Sequence, residues 1–216
     1  MPLGPMGSVQ GLRRRGNGAP ALALPPVSST GGLPLMQALR QRRSEREFAT
    51  TALPEQVRAD LLWAACGVNR PALGARTAPR AIDLQEIDVY VALPAGLYRY
   101  EPVGHLLRLE VPRDIRGVTG NQNFIDEAAL DLVFVVDHSR AQLVQAEQRE
   151  AYAYAAAGAM AQNVYLYPAS QGLSTVVRAW IDRDALSAAM ELKVDQQVLL
   201  AQTVGYPKAG PLPGVA

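Results

Sequence analysis

Apolar and polar positions fall into a few well-marked runs. From Glu86, the residues Ile87, Val89, Val91 and Leu93 alternate with Glu86, Asp88 and Tyr90. A period of two predicts a half-buried strand. Pro94-Ala95-Gly96 turns the chain into Leu97-Tyr98-Arg99-Tyr100, and His105 to Val111 returns, so an antiparallel meander is expected. Leu130 to Val136 is nearly unbroken apolar sequence, which predicts a central strand buried on both faces. Leu173 to Trp180 and Gln197 to Tyr206 predict two further strands.

The helical period marks other stretches. Leu35 and Leu39, with Met36 beside them, give a short first helix its stripe. Pro54 suits the first helical position of a second helix, whose Val57, Leu61, Ala64 and Ala65 share a face, with Gly67 placed to end it. Residues 67–84 read as a long irregular link, and 112–129 as one or two short helices. The longest helix is expected from Ala146 to Ala169 and is apolar on most faces, so its Gln162 and Asn163 need partners. Gln171-Gly172 ends it, and Asp182 caps a last short helix, Arg183 to Leu192. This order predicts an α+β fold, with a mostly antiparallel central sheet flanked by helices.

Composition narrows the function. The chain has 216 residues, 49% hydrophobic and 19% charged, with a net charge of +1. That balance supports a sizeable core and argues against nucleic acid as the main partner. The single cysteine, Cys66, excludes an internal disulfide, and its neighbours Leu62 and Trp63 mark it as a buried small hydrophobe. Two separated histidines, His105 and His138, give little support to a metal site or a His-based triad. His105 reads as a surface strand residue. No apolar run is long enough to span a membrane. Residues 1–33 are rich in Gly, Pro and Ser and read as a flexible arm. Arg13-Arg14-Arg15 and Ala21-Leu22-Ala23-Leu24 faintly resemble an export signal, but Pro20, Pro25 and Pro26 break it, so a cytoplasmic location is expected over an exported one.

The candidate chemistry centres on Arg42-Arg43-Ser44-Glu45-Arg46-Glu47-Phe48, between the first two helices. Three guanidinium groups and a hydroxyl within five positions suit planar capture of a phosphate. The same cluster could equally be a solvated basic helix end. Neither common nucleotide fingerprint, GxGxxG after a strand or GxxxxGK[ST], occurs.

That arginine stretch comes first in an ordered set. It is followed by Thr77-Ala78-Pro79-Arg80-Ala81-Ile82-Asp83-Leu84-Gln85, Ile87 to Val91, Gly96 to Tyr100, Gln162 to Leu166, Gln171-Gly172-Leu173 and Val204-Gly205-Tyr206-Pro207. In this order and spacing the chain resembles the FMN-dependent nitroreductase family. It is most similar to compact members that share features with azoline-peptide dehydrogenases. The resemblance spans about residues 33–208. It implies a domain over 34–208, with the arm before it and a short tail at 209–216.

The resemblance implies an intertwined homodimer with FMN at two sites, each built by both subunits. It implies hydride transfer from NAD(P)H through flavin N5 to a small planar acceptor (a nitroaromatic, quinone or enone) by a ping-pong route. Alternatives are a flavin-binding or sequestering protein with little turnover, and an azoline-type dehydrogenase. Arg42, Arg43, Ser44 and Arg46 would hold the FMN phosphate, ribityl chain and pyrimidine edge. Pro79, Arg80, Ala81, Ile82, Asp83 and Gln85 would lie beside the ring, contributed by the partner subunit. Gln171, Gly172 and Leu173 would approach N5 and O4, with N–H groups of Gln171 and Gly172 directed there. Lys208 would reach the phosphate. No catalytic side chain and no metal is implied, since the flavin carries the chemistry. Phe124, Tyr152 and Tyr154 are candidates for lining the slot, the tyrosines reading more readily as core.

The chain departs from the family in the ring loop, which usually reads Pro-Ser-Ala-Gly-Asn. Here Arg80, Ile82 and Asp83 replace Ser, Gly and Asn. An ionised Asp cannot donate a hydrogen bond. An Arg80–Asp83 pair that reshapes the cleft is therefore expected.

Overall fold

The computed structural model describes residues 20–28, 30–79 and 85–208. Most of the expected arm, the tail, and the loop residues Arg80, Ala81, Ile82 and Asp83 lie outside the described residues, and so does the expected Arg80–Asp83 pair. The elements run β1 (Ala21–Ala23), α1 (Leu35–Gln41), α2 (Glu55–Cys66), β2 (Val68–Arg70), β3 (Ala75–Arg76), β4 (Ile87–Leu93), β5 (Gly96–Glu101), β6 (Leu106–Val111), β7 (Leu130–Asp137), α3 (Ala146–Gln171), β8 (Ser174–Arg178), α4 (Arg183–Ala189) and β9 (Gln196–Gly205). The fold is α+β, as the order of periods predicts.

Seven strands form one sheet in the order β1-β6-β5-β4-β7-β9-β8, and every pairing is antiparallel. The apolar run at β7 occupies the middle, between β4 and β9. Its residues divide by parity. Leu130, Leu132, Phe134 and Val136 join the cluster under α2 and α3, and Val133 and Val135 join the one under α4. Full burial of both faces explains the unbroken apolar sequence. β4 is also buried on both sides, with Tyr90 and Ala92 under α4, so it is not the half-buried strand that its alternation suggests.

Several boundaries differ from expectation. Ala21–Ala23 is not part of a loose arm: it pairs with Leu106–Arg108 and covers the outer edge of β6. Residues 68–76 make a small two-stranded hairpin, and among residues 112–129 only Arg116–Val118 forms a helical turn. Pro54 stands at the N-cap of α2, one position before the expected one. Gly67 follows α2 with extended backbone (φ −67°, ψ 163°), so it is not a left-handed stop. An added Cβ would lie 2.2 Å from Trp63 Cδ1, so close approach is what requires this glycine. His105 is a turn residue with φ 45°, held by a 2.9 Å hydrogen bond between its Nδ1 and the Tyr100 hydroxyl. Cys66 is buried, and burial pushes its thiol up to about 12.

α3 packs on the sheet through Ala153, Ala156, Ala157, Met160, Ala161 and Val164. Its other side is open within one chain. Ala155, Gly158 and Gln162 are exposed, so Gln162 needs no internal partner. The small side chains that predicted burial all round leave one face uncovered. α1 is similar, burying only Ala38 while Leu35, Met36 and Leu39 face outward.

Candidate active site

The arginine stretch begins where α1 ends. Arg42 is the C-cap of α1, and its N–H donates to the Ala38 carbonyl. Beyond it the chain runs along β8, the last strand of the sheet. The free edge of β8 would expose unpaired backbone groups. Two of them are taken up here. The Thr175 carbonyl accepts the Glu45 N–H at 3.0 Å, and the Val177 N–H donates to the Tyr165 hydroxyl at 3.0 Å. The Tyr165 hydroxyl also lies 2.7 Å from Ser44 Oγ, and the Arg42 guanidinium sits 5.1 Å from the Tyr165 ring centroid. Tyr165, from α3, thus organises the loop. No sequence pattern assigns it a role. Its only signal is a tyrosine in an otherwise apolar helical stretch, where a buried hydroxyl must find a partner.

The loop has unspent donors. Arg43 pairs with Glu45, but Arg42 and Arg46 have no carboxylate partner among the described residues. Two free guanidinium groups and a serine hydroxyl on one loop match the needs of a phosphate monoester. The C-terminal end of β9 lies beside them. Phe48 and Pro207 form an isolated bridge, and the Lys208 N–H donates to the Glu47 carbonyl at 3.3 Å. The Lys208 ammonium, expected on the phosphate, is instead 3.7 Å from Glu127 and exposed.

The end of α3 completes this side. Gly172 has φ 67° and ψ 27°, a left-handed residue that stops the helix at little cost because it lacks a Cβ. The Gly172 N–H donates to the Pro168 carbonyl, and the Leu173 N–H donates to the same oxygen at 3.0 Å. The N–H expected from Gly172 toward a ligand is therefore spent within the helix cap. Gln171 is exposed and Leu173 buried. Gln171 lines a cleft of about 260 Å³ with Asp60, Trp63, Tyr167, Ser170, Ser28 and Thr30. A second cleft of about 390 Å³, sharing Trp63 and Tyr167, opens between α1, α2 and α3.

Not every expected residue meets this group. Pro79 is exposed. Gln85 accepts a hydrogen bond from Arg76 at 2.7 Å and lies near Ala156 and Met160. The arginine loop meets α3 at Tyr165, about 13.5 Å along the helix from Ala156 at the helical rise per residue. Thr77, near the other end of the ring loop, lines the larger cleft with Asn163, Tyr167 and Ser170. Phe124, a candidate for the slot, is buried against Phe48 at 5.7 Å between ring centroids, so it belongs to the core. Tyr154 packs against the main core, as read from the sequence. Among the described residues no cluster of His, Cys, Asp or Glu could hold a metal, and no helix is long and apolar enough to cross a membrane.

The chain is similar to known proteins over this same region. The sequence pattern of the Nitroreductase family matches residues 39–206. The crystal structure of a candidate nitroreductase from Ralstonia eutropha JMP134 superimposes with a TM-score of 0.84 at 47% identity, covering 96% of this chain and 99% of that one. A candidate nitroreductase of Methanocaldococcus jannaschii is 31% identical over 182 residues, 79% of this chain and 90% of the relative. The NADPH:FMN oxidoreductase of Vibrio harveyi, solved with NAD+, shares the fold with a TM-score of 0.61 at 21% identity, over 81% of this chain and 69% of that one. The family match over residues 39–206, with relatives 31% and 47% identical over most of the chain, shows that this chain belongs to the nitroreductase family, a family of oxidoreductases.

Proposed function

We propose that the protein is an FMN-dependent NAD(P)H oxidoreductase that acts as a homodimer on small planar acceptors such as nitroaromatics, quinones or enones. The observation that carries this reading is the moored arginine loop. Arg42 and Arg46 are without carboxylate partners among the described residues and share one short segment with the Ser44 hydroxyl. That donor set fits the phosphate of FMN, and the name of the Vibrio relative supports the cofactor. FMN, when bound, supplies reversible two-electron hydride chemistry, accepting from a nicotinamide and giving to an acceptor.

The chain's own residues bind and orient. Arg42 and Arg46 neutralise the phosphate, Ser44 donates to it, and Arg43, half-committed to Glu45, contributes less. Gln171 lines the smaller cleft, where its exposed side chain can meet a ring edge. The segment Pro79 to Gln85 completes the site from the partner subunit. The open faces of α1 and α3, which a partner chain would cover, support that arrangement.

One observation favours a second reading, a flavin-binding protein with little turnover. The Gly172 N–H, which would support charge on the reduced ring, is spent on Pro168. Steady-state kinetics separate the two. The oxidoreductase reading expects acceptor-dependent oxidation of NADH or NADPH, with parallel double-reciprocal lines. FMN uptake with no such oxidation would support the second reading.

A further inference from the structure

We propose that Tyr165 is a positioning residue that fixes the Ser44 hydroxyl as a hydrogen-bond donor toward a phosphate ester held by Arg42 and Arg46. The inference rests on the flavin phosphate reading above and adds to it a relay that fixes the direction of one proton.

The relay starts in the sheet. The Val177 N–H points off the free edge of β8 and donates to the Tyr165 oxygen at 3.0 Å. A backbone N–H can only donate, so the Tyr165 oxygen accepts there. Tyr165 is 7% exposed, and its own O–H must find an acceptor or stay unsatisfied in the interior. Ser44 Oγ, at 2.7 Å, is the acceptor that the described residues offer. Tyr165 therefore donates to Ser44. Were Ser44 to donate instead, the buried phenol proton would have no partner. With its oxygen already accepting, Ser44 keeps its own proton for a group outside the chain. Ser44 is exposed, and it stands between Arg42 and Arg46 in the loop. Its hydroxyl is thus presented as a donor, and an anionic oxygen is the ligand that suits it. The Tyr165 ring adds a second constraint by stacking under Arg42 at 5.1 Å.

The test compares FMN with riboflavin, which lacks the phosphate, on apo-protein by flavin fluorescence. Tyr165→Phe keeps the ring under Arg42 and removes only the relay. The expected result is a loss of about tenfold in the preference for FMN over riboflavin, the size of one hydrogen bond to a charged group. Ser44→Ala should lose the same factor, and the double variant should lose no more than either single one. An unchanged preference in Tyr165→Phe, or losses that multiply in the double variant, would overturn the proposal. If Tyr165→Phe does not fold, Ser44→Ala alone decides, and an unchanged preference there overturns it as well. Wild-type protein that binds neither flavin would instead overturn the flavin reading itself, and the relay with it.

Discussion

Ser44 and Tyr165 stand 121 positions apart in the chain and share a 2.7 Å hydrogen bond. That contact ties the arginine loop to the long helix, and the Val177 N–H ties both to the edge of the sheet. A loop that would otherwise be a solvated helix end is held with its cations grouped. Arg42 and Arg46 on this loop have no carboxylate partner among the described residues, which is why the arrangement points to an anionic ligand.

The three arginines should not be equivalent. Arg42 and Arg46 are free of carboxylates among the described residues, while Arg43 is paired with Glu45. Arg42→Ala and Arg46→Ala should each weaken FMN binding about ten- to hundredfold, the range for a hydrogen bond to a charged group. Arg43→Ala should cost less than about fivefold, since part of its charge is already met by the half-buried Glu45. Titration of apo-protein with FMN checks the order, and an Arg43 effect as large as the others would contradict it.

The proposed homodimer has its own test on α3. Gly158 lies on the open face, and an added Cβ there meets no atom within 4 Å in the single chain. Gly158→Arg should leave the isolated fold intact but block a partner helix. The expected outcome is a shift from twice the chain mass to the chain mass by light scattering, with loss of FMN uptake. A variant that keeps both its mass and its flavin would show that this face is not the interface.

A buried ion pair holds the far end of β8. Arg178 and Asp131, 5% and 0% exposed, are 2.7 Å apart. Arg178 also donates to the Thr119 carbonyl and to Gln122, and Thr203 donates to Asp131. Gly120 makes room for this guanidinium, since an added Cβ would sit 1.9 Å from Arg178 Nη1. Removing either charge strands the other, so Asp131→Ala or Arg178→Ala should lower stability by about 3–5 kcal/mol in chemical denaturation. A loss below about 1 kcal/mol would mean that water reaches the site after the substitution.

Acid should weaken the β5–β6 pairing. The Arg108 hydrogen bonds hold the Glu101 carboxyl below its usual range, and Arg116 does the same for Asp114. A depressed folded-state value contributes stability above the unfolded value and loses it as pH falls through the folded one. The melting temperature should therefore decline below about pH 4, through the ordinary carboxylate range. Glu101→Gln should flatten that decline, and an unchanged slope would assign the acid response to other groups.

Much of the fold was legible because local patterns coincide with global burial. β7 reads as a central strand because both of its faces are covered, and Gly172 marks the end of α3 because that turn needs a left-handed residue. Other features were hidden by long-range contacts. Ala21–Ala23 becomes a strand only because β6 offers an edge, which its own sequence cannot announce. Tyr165 was hidden for the same reason, since its partners Ser44 and Val177 lie on other elements. The helix-cap use of the Gly172 N–H was legible in principle, because a left-handed stop returns its N–H groups to the last turn.

On the proposed function, the arginine loop holds a flavin that turns over with a nicotinamide. An absorption spectrum of the purified protein, supplied with FMN and then with anaerobic NADH or NADPH, tests it most directly. Bound-flavin bands at about 370 and 450 nm that bleach on reduction are the expected result, as the cofactor's own chemistry dictates. A colourless protein that takes up no added FMN would contradict it and would return Arg42 to Arg46 to the role of a solvated surface.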